Sequence, residues 1–279
     1  MDPSPTHAAR AQLSTRIFKI ASTERALWAA EIAKLEAGAR YPLGADHFRL
    51  DHGKDYFAFF DRLGDVAYYV AVTDGEVVAV GCGMLRTLPF TLGVQPAWYI
   101  GDLKVRPDHR GQHIPLRMMA AAFAPEYARC PRGYGISMNP ARGDNRVVRL
   151  IARFPIAPMR LAATLDIFSL DGPQARAAMP AIAHHRGSTH FLSLSGIKEI
   201  VLESSGCTLP LLHAQFGPLA DPAAHHRPTD GATHMLCAPR GDALALALAE
   251  QGFQATASAS VIALRMGDYD WRNILTSEI

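Results

Sequence analysis

The stretch of sequence that decides the fold is Trp98-Tyr99-Ile100-Gly101-Asp102-Leu103-Lys104-Val105-Arg106-Pro107-Asp108-His109-Arg110-Gly111-Gln112-His113-Ile114-Pro115. It begins as an apolar strand that ends near Val105, passes through a basic turn that contains Gly111, and enters a helix. Pro115 fits the first turn of that helix, because the N–H that proline lacks would have no intrahelical partner there. Such a turn directs backbone N–H groups and the positive end of the helix dipole at one point, which favours an anion such as a pyrophosphate.

Four side chains add positive or hydrogen-bonding groups around this turn, namely Arg106, His109, Arg110 and His113. The alternative is an ordinary connection between a strand and a helix, with charges that are simply solvated. The physical pattern alone leaves both interpretations open.

Hydrophobic periodicity predicts the elements on either side. Residues 16–20, 67–72, 77–84, 97–105, 134–139 and 160–170 are predicted strands, and residues 23–37, 54–62, 115–127 and 145–153 are predicted helices. The pair Asp74-Gly75 predicts a tight hairpin between two of the strands, because glycine readily adopts positive φ. The order of elements predicts an α/β fold with a mixed sheet that is covered by helices.

The amino-acid composition of the chain changes after Leu170. Residues 1–12 are expected to be a flexible tail, 13–170 the main domain, 171–188 a linker rich in Pro, Gly, Ala and His, and 189–279 a smaller α/β domain. In this last part a strand, a helix over 242–251 and a final strand over 255–266 follow one another, as they do in residues 134–170. We therefore interpret the C-terminal unit as a degenerate half-copy of the first.

The segment from Val105 to Ile114 resembles the acetyl-CoA signature of the GNAT superfamily, a strand that ends in V-x-P and is followed by R-G-x-G-[IV]-[GA]. The resemblance covers roughly residues 14–170. It implies a GNAT-like fold, with acetyl-CoA or another acyl-CoA as substrate. By this resemblance, main-chain groups of Leu103, Lys104 and Val105 contact the pantetheine arm. The residues that would surround the pyrophosphate are Arg110, Gly111, Gln112, His113, Ile114 and Pro115.

Two residues depart from the signature. His113 replaces a glycine at a point where the backbone must approach phosphates closely, and Pro115 replaces a small residue that would supply an N–H group. Loss of one hydrogen bond to a charged group costs about 1.5–3 kcal/mol. A protonated His113 would return part of that loss. Asn145 matches an asparagine that contacts the cofactor in the family, although a helix cap is an equally natural role for it.

Transfer of an acyl group to an amine needs a base, and Asp102 is the candidate because GNAT enzymes often carry a catalytic carboxylate at this position. Its alternative role is an ion pair with Lys104 or an arginine. Period-2 alternation predicts that one face of the strand carries Trp98, Ile100, Asp102 and Lys104, and that the opposite face carries Tyr99, Gly101 and Leu103.

The tyrosine that usually acts as the acid in this family is absent from the helix over 145–153, where Ile151 and Ala152 stand instead. Tyr99 and Tyr134 are substitutes in principle, but each is expected to be a core or rim aromatic.

Composition excludes several other classes of function. Of 279 residues, 49% are apolar and 19% are charged, and 28 basic against 26 acidic residues give a formal charge of +2. This balance favours neither nucleic acid nor a membrane surface as a partner. No signal peptide or membrane span is predicted, so a cytoplasmic protein is expected.

The cysteines and histidines do not predict a metal site. The four cysteines are scattered and are expected to be reduced thiols. Solvated loop positions are predicted for six of the histidines outside the turn, namely His184, His185, His213, His225, His226 and His234.

Three functions remain open at this point. The first is an N-acyltransferase that acylates an amine of a small molecule, amino acid or peptide by direct transfer. The second is a GNAT-fold sensor that binds a ligand without turnover, and the third is an acyltransferase for long acyl chains. The sequence leaves a homodimer open.

Overall fold

The computed structural model describes residues 15–43 and 46–279. The predicted tail, residues 1–12, lies outside the described residues. Among the described helices, none combines the length and the apolar character that a membrane crossing requires.

The N-terminal half, up to residue 170, contains both strands and helices. Its strands are β1 (Arg16–Ile20), β2 (Tyr41–Leu43), β3 (Asp46–Asp51), β4 (Asp65–Thr73), β5 (Glu76–Phe90), β6 (Gly93–Val105), β7 (Gly133–Met138) and β8 (Arg160–Leu170). Its helices are α1 (Arg25–Ala37), α2 (Ala58–Asp61), α3 (Ile114–Arg129) and α4 (Arg146–Ile151).

The C-terminal half is richer in short strands. Its strands are β9 (His190–Ser193), β10 (Glu199–Leu202), β11 (Thr208–Leu209), β12 (Leu211–Gln215), β13 (Thr233–Pro239) and β14 (Ala257–Leu264). Its helices are α5 (Gly172–Arg186) and α6 (Ala243–Glu250), and short 3-10 turns follow at Trp271–Asn273 and Thr276–Glu278.

A ten-stranded sheet joins the two halves, in the order β1-β4-β5-β6-β7-β14-β8-β13-β12-β9. The last strand, β14, lies between β7 and β8 and is antiparallel to both. A smaller sheet also mixes the halves, because β10 pairs with β3. The sheet is therefore continuous across the boundary that the sequence predicted between 170 and 189.

The order of strands has an internal two-fold pattern. On one side of the β14–β8 pair, β14 is antiparallel to β7, β7 is parallel to β6, and β6 is antiparallel to β5. On the other side, β8 is antiparallel to β13, β13 is parallel to β12, and β12 is antiparallel to β9. In chain order, β7–α4–β8 matches β13–α6–β14. This topology confirms the predicted half-repeat and adds that each half inserts its last strand into the other.

The predicted linker over 171–188 was wrong, because these residues form α5. Asp171 caps the helix through a capping box with Gln174, and Pro173 lies in the first turn, where proline is tolerated. Ala175, Ala178 and Ile182 are fully buried against the sheet. The small residues that made the segment resemble a linker allow the helix to pack closely.

Two hydrophobic layers cover the first half of the sheet. On one face, β4 and β5 contribute Tyr68, Val80 and Met84 to a core that includes Ile32 of α1. On the other face, Trp98 packs with residues of α3. We call these the α1 face and the α3 face. Most elements predicted in this half are confirmed, but β2 and β3 were missed.

Candidate functional site

A wedge opens between β6 and β7. The two strands pair in parallel only from Trp98–Gly133 to Ile100–Gly135. Beyond Ile100, β6 continues to pair with β5 as far as Val105, and β7 continues to pair with β14 as far as Met138. The facing edges of β6 and β7 are therefore unpaired with each other, and α3 begins beyond the open end of the wedge.

The second half contains the equivalent wedge between β12 and β13, which also pair in parallel over a short segment. Here the C-terminal segment, residues 274–278, bonds to both strands. Thr276 Oγ1 donates to the Met235 carbonyl at 3.1 Å, and the Gln215 amide donates to Ser277 Oγ at 2.8 Å. All five residues of the segment are buried. The second wedge is thus filled by the chain itself.

Asp102 forms a β-bulge at the mouth of the first wedge. On β5, Val80 and Cys82 pair with Lys104 and Gly101 of β6, so β6 carries one extra residue. Asp102 has a φ of 53°, a left-handed conformation that aspartate tolerates better than most residues.

The bulge overturns the predicted alternation of side chains along β6. Ile100 packs on the α3 face with Trp98, as predicted. Asp102 nevertheless lies on the α1 face, where it meets the side chains of Tyr56 and Tyr68. One extra residue reverses the face of every side chain that follows it.

The carboxylate of Asp102 is buried, with 2% of its side chain exposed, and it is surrounded by donors. It accepts hydrogen bonds from Tyr56 Oη at 3.0 Å, from Tyr68 Oη and from the ammonium of Lys104. The ion pair with Lys104 was the predicted alternative role for Asp102, and the structure contains it. The two tyrosines were not predicted.

Lys104 bridges two carboxylates, since it also pairs with Glu36 of α1. Burial by itself lowers the pKa of Lys104, but Asp102, Tyr56 and Glu36 outweigh it and raise that pKa well above its ordinary value. Burial raises the pKa of Glu36, against the opposing effect of Lys104. The cluster therefore keeps a charged lysine between two carboxylates in the interior.

His52 and Lys198 complete the cluster on the α1 face. Burial and the charge of Lys198 lower the pKa of His52 to about 4, so its imidazole is neutral near pH 7. Neither ring nitrogen of His52 has a hydrogen-bond partner among the described residues. Burial and the charge of Lys104 lower the pKa of Lys198 to about 8.

The turn before α3 has the conformation that an anion site requires. Gly111 has a φ of 83° and nothing within 4 Å of the position of a Cβ. His113 has a φ of 56° and is therefore left-handed although it is not a glycine. The residue that departs from the signature thus keeps a backbone conformation that glycine adopts at no steric cost. Arg110, Gly111, Gln112 and His113 are exposed.

The positive charges around the turn are not equally available. Arg106 is committed to Asp108 at 2.8 Å and to Glu76, and it also contacts His109 at 2.9 Å. Arg110 and His113 make no side-chain hydrogen bond or ion pair with any part of the chain that the structure describes. The side chains of the predicted site that have no partner in the described chain are therefore Arg110 and His113.

The first turn of α3 adds backbone donors. Ile114 and Pro115 are its first residues, so Pro115 removes one N–H from a turn whose N–H groups lack intrahelical partners. The N–H groups of Ile114 and Leu116 remain available. Together with Arg110 and His113 they fit a pyrophosphate group.

Asn145 is engaged as the N-cap of α4. Its Oδ1 accepts from the N–H groups of Val147 and Val148 at 3.1 and 3.2 Å, and its Nδ2 donates to the carbonyls of Ser137 and Met138. These bonds join the end of β7 to the start of α4. Its contact with a cofactor stays a prediction.

The tyrosines lie where the sequence placed them, in the core. Tyr99 and Tyr134 are stacked, with ring centroids 5.0 Å apart, on the α1 face. Tyr134 Oη accepts a hydrogen bond from Arg86 at 2.8 Å, and burial raises the pKa of its phenol. Helix α4 offers Ile151, which is buried, and no tyrosine.

The histidine prediction was wrong at several positions. His213 and His234 are buried in β12 and β13, and His184 and His185 lie in α5, so these four are not loop residues. His225 and His226 do lie outside the named helices and strands. No group of potential metal ligands is found in residues 15–43 and 46–279. Cys82, Cys130 and Cys237 are buried free thiols, and Cys207 is an exposed one.

Sequence reasoning missed Glu36, His52, Tyr56, Tyr68 and Lys198 as members of the cluster. They lie in distant segments that meet only in the folded chain. The one available signal was the aromatic content of residues 41–62, of which only 54–62 were predicted to form an element, a helix.

The profile of the Acetyltransferase (GNAT) family matches residues 31–154, which include the wedge, the turn and α4. No protein of curated function matches the sequence.

Solved structures extend the likeness to most of the chain. A candidate acetyltransferase from Pyrococcus horikoshii has a TM-score of 0.50 at 9% identity, over 97% of this chain and 96% of that one. A tandem GNAT protein from the clavulanic acid biosynthesis pathway has a TM-score of 0.49 at 10% identity, over 92% of this chain and 100% of that one. A GCN5-related N-acetyltransferase from Anabaena variabilis has a TM-score of 0.47 at 10% identity, over 90% and 72%.

At these identities the first of the three shows a shared fold only, whereas the family profile covers the site itself. GNAT folds typically use acyl-CoA. Residues 31–154 of the chain therefore match the GNAT acetyltransferase family.

Proposed function

We propose that this protein is an N-acyltransferase that moves an acyl group from acyl-CoA to an amine by direct transfer. The observation that carries the proposal is the open wedge between β6 and β7, with the exposed turn of residues 110–115 and the start of α3 beyond it. Unpaired strand edges offer N–H and C=O groups, which suit the two amides of a pantetheine arm.

Each part of the site has a role in the proposal. Leu103, Lys104 and Val105 offer main-chain groups to the pantetheine arm from the edge of β6. Arg110 and His113, with the N–H groups of the turn and of Ile114, hold the pyrophosphate. These donors have no competing side-chain partner among the described residues. Asn145 holds the strand and helix that form the opposite wall of the wedge.

Asp102 is the proposed general base. Its position at the bulge places a carboxylate on the α1 face at the mouth of the wedge, so we propose that the amine approaches from that face. Asp102 would take a proton from the amine, directly or through water, while Tyr56 and Tyr68 keep the carboxylate oriented.

The second candidate function is a protein that binds acyl-CoA without turnover. Two observations favour it. The acceptor positions of Asp102 are filled by Lys104, Tyr56 and Tyr68, and α4 carries no tyrosine to protonate a leaving thiolate.

A coupled experiment tests the two functions. Acetyl-CoA is first titrated calorimetrically, and release of free thiol is then followed with a panel of primary amines. Thiol release that depends on the amine supports the acyltransferase. Binding without thiol release supports the sensor, and the absence of heat at millimolar acetyl-CoA contradicts both.

Two matched variants test the base. Asp102→Asn should lower the rate of thiol release by at least about 100-fold, with acetyl-CoA affinity unchanged. Glu36→Gln alters the other carboxylate that Lys104 binds, and should keep the rate within a few-fold. Full activity in Asp102→Asn would remove the proposed role, and an equal loss in both variants would make the cluster structural.

A further inference from the structure

A cavity of about 140 Å³ lies on the α3 face, beside the wedge. Apolar side chains of α3 and of the segment from α4 to β8 line it, among them Met119, Ala122, Phe123, Ile151, Phe154 and Met159. The Asp102 cluster lies on the opposite face of the sheet and contributes none of these residues.

Glycines form the floor of this cavity. Gly81 and Gly83 are two residues apart on β5 and line the cavity together. A Cβ at Gly83 would come within 3.0 Å of the Trp98 ring, and one at Gly81 within 3.4 Å of Leu103 Cδ1. Side chains at these two positions would therefore reduce the space under α3.

The polar groups at the far end of the cavity are satisfied among themselves. Trp98 Nε1 donates to the backbone carbonyl of Glu126 at 3.0 Å, and Tyr69 Oη donates to the Glu126 carboxylate at 3.0 Å. Lys19 neutralises the same carboxylate at 2.7 Å. These bonds leave the lining with little to offer water or a polar ligand, so an apolar occupant is favoured.

The near end of the cavity adjoins the wedge. Gly101 and Leu103, the residues of β6 just beyond its last pair with β7, both line the cavity. A thioester at the mouth of the wedge would therefore have Asp102 on one face and this cavity on the other. The pantetheine arm itself suits the cavity poorly, because its amides would find no partners there.

We infer that the cavity binds the hydrocarbon tail of the acyl group and that the substrate is an acyl-CoA longer than acetyl-CoA. The inference rests on the proposed use of acyl-CoA. An apolar protein cavity of about 150 Å³ accommodates a benzene molecule, which has six carbons. The volume here therefore fits a tail of about six carbons.

The direct test is calorimetric titration with free CoA and with acetyl-, butanoyl-, hexanoyl- and dodecanoyl-CoA. Each methylene that enters the cavity should tighten binding about fourfold until the cavity is full, near hexanoyl. Affinity that stays level from acetyl to hexanoyl would overturn the inference.

A matched pair of variants locates the effect. Ala122 lines the cavity, whereas its neighbour Ala121 on α3 is exposed. Ala122→Phe should abolish the gain from acetyl to hexanoyl and leave the affinity for free CoA unchanged, while Ala121→Phe should keep the full gain. Ala122→Leu, a smaller change, should show a partial loss if the phenylalanine variant does not fold. A full gain in both Ala122 variants would contradict the assignment.

The outcomes for the two proposals are distinguishable. If free CoA binds and the affinity for acyl-CoA does not depend on acyl-chain length, the acyl pocket is overturned and the proposed acyl-CoA site remains intact. Absence of binding by free CoA and by every acyl-CoA would overturn both.

Discussion

The two wedges of the sheet have the same strand pairing but different contents. In the first half, a turn and α3 connect β6 to β7, and the wedge adjoins an apolar cavity. In the second half, a 3-10 turn at Gly217–Leu219 and a loop connect β12 to β13, and residues 274–278 lie against both strands. A duplicated framework can thus keep a ligand site in one copy and fill it with its own chain in the other.

The chemistry at the wedges differs as well. The first is bordered by buried charges, since Asp102, Lys104 and Glu36 form one cluster. The second is closed by hydrogen bonds of Thr276, Ser277 and Gln215, and by a buried ion pair between Glu278 and Arg86.

The largest expected effect comes from breaking the charge cluster of Asp102, Lys104 and Glu36 at the first wedge. Lys104→Met leaves two buried carboxylates without their partner and should lower the free energy of unfolding by about 3–5 kcal/mol. Thr276→Val removes neutral bonds at the second wedge and should cost about 1–2 kcal/mol. Denaturant unfolding of both variants measures the two losses in the free energy of unfolding. Equal losses would show that the charge cluster contributes no more to stability than the hydrogen bonds of Thr276.

Acid should destabilise both halves through one buried histidine in each. Burial, followed by the charge of Lys198, lowers the pKa of His52 to about 4 and of His213 to about 3. An unfolded histidine binds its proton near pH 6.5, so the unfolded state binds more protons than the folded one as the pH falls below that value. Each histidine should therefore remove about 3 kcal/mol of stability by pH 4.

Unfolding measured from pH 7 to pH 4 tests this expectation. His52→Phe and His213→Gln should each flatten the acid limb of the stability curve. His225→Gln, at an exposed position, should leave it unchanged. A limb that keeps its slope in the first two variants would refute the assignment.

Glycines with positive φ follow the first strand of each wedge, which allows a matched test of binding. Gly111→Val and Gly217→Val place a β-branched residue at φ values of 83° and 68°. Only the first should weaken CoA binding, about 10-fold to 100-fold, because the turn loses donors to the pyrophosphate. Titration of CoA measures both, and an equal loss would indicate general destabilisation instead of a local site.

The smallest expected effect concerns the equivalent helix caps. Asn145 caps α4, and Asp242 caps α6 by accepting from the N–H of Leu244 at 3.0 Å. Asn145→Ala should cost about 1 kcal/mol in thermal unfolding. Asp242→Ala should cost more, because it also removes the ion-pair partner of the buried Arg186. CoA affinity should not change in Asp242→Ala. A selective loss of CoA binding in Asn145→Ala would instead make Asn145 a direct contact.

Much of the first half could be predicted because its signals are local. Periodicity located the elements, and Val105, Pro107 and Gly111 located the turn before α3. The same local signals were present for α5, where Asp171 and Gln174 form a capping box. They were outweighed by the Pro, Gly and Ala content, which is typical of linkers but also of closely packed helices.

The chemistry of the site could not be predicted in the same way. The bulge at Asp102 moves the side chains that follow it to the opposite face of β6, and no local sequence pattern predicts the bulge. The partners of Asp102 come from β4 and from the segment before α2, and Lys198 comes from the other half of the chain. Such contacts form only in the complete sheet, so the spacing of residues in the sequence does not predict them.

The most direct test is the number of CoA molecules that bind to each chain of 279 residues. One wedge adjoins a cavity and an exposed turn, and the other is filled by residues 274–278. Calorimetric titration of free CoA should therefore give a single site per chain. Two sites per chain would show that the second wedge also binds CoA, and no heat at millimolar CoA would show that neither does.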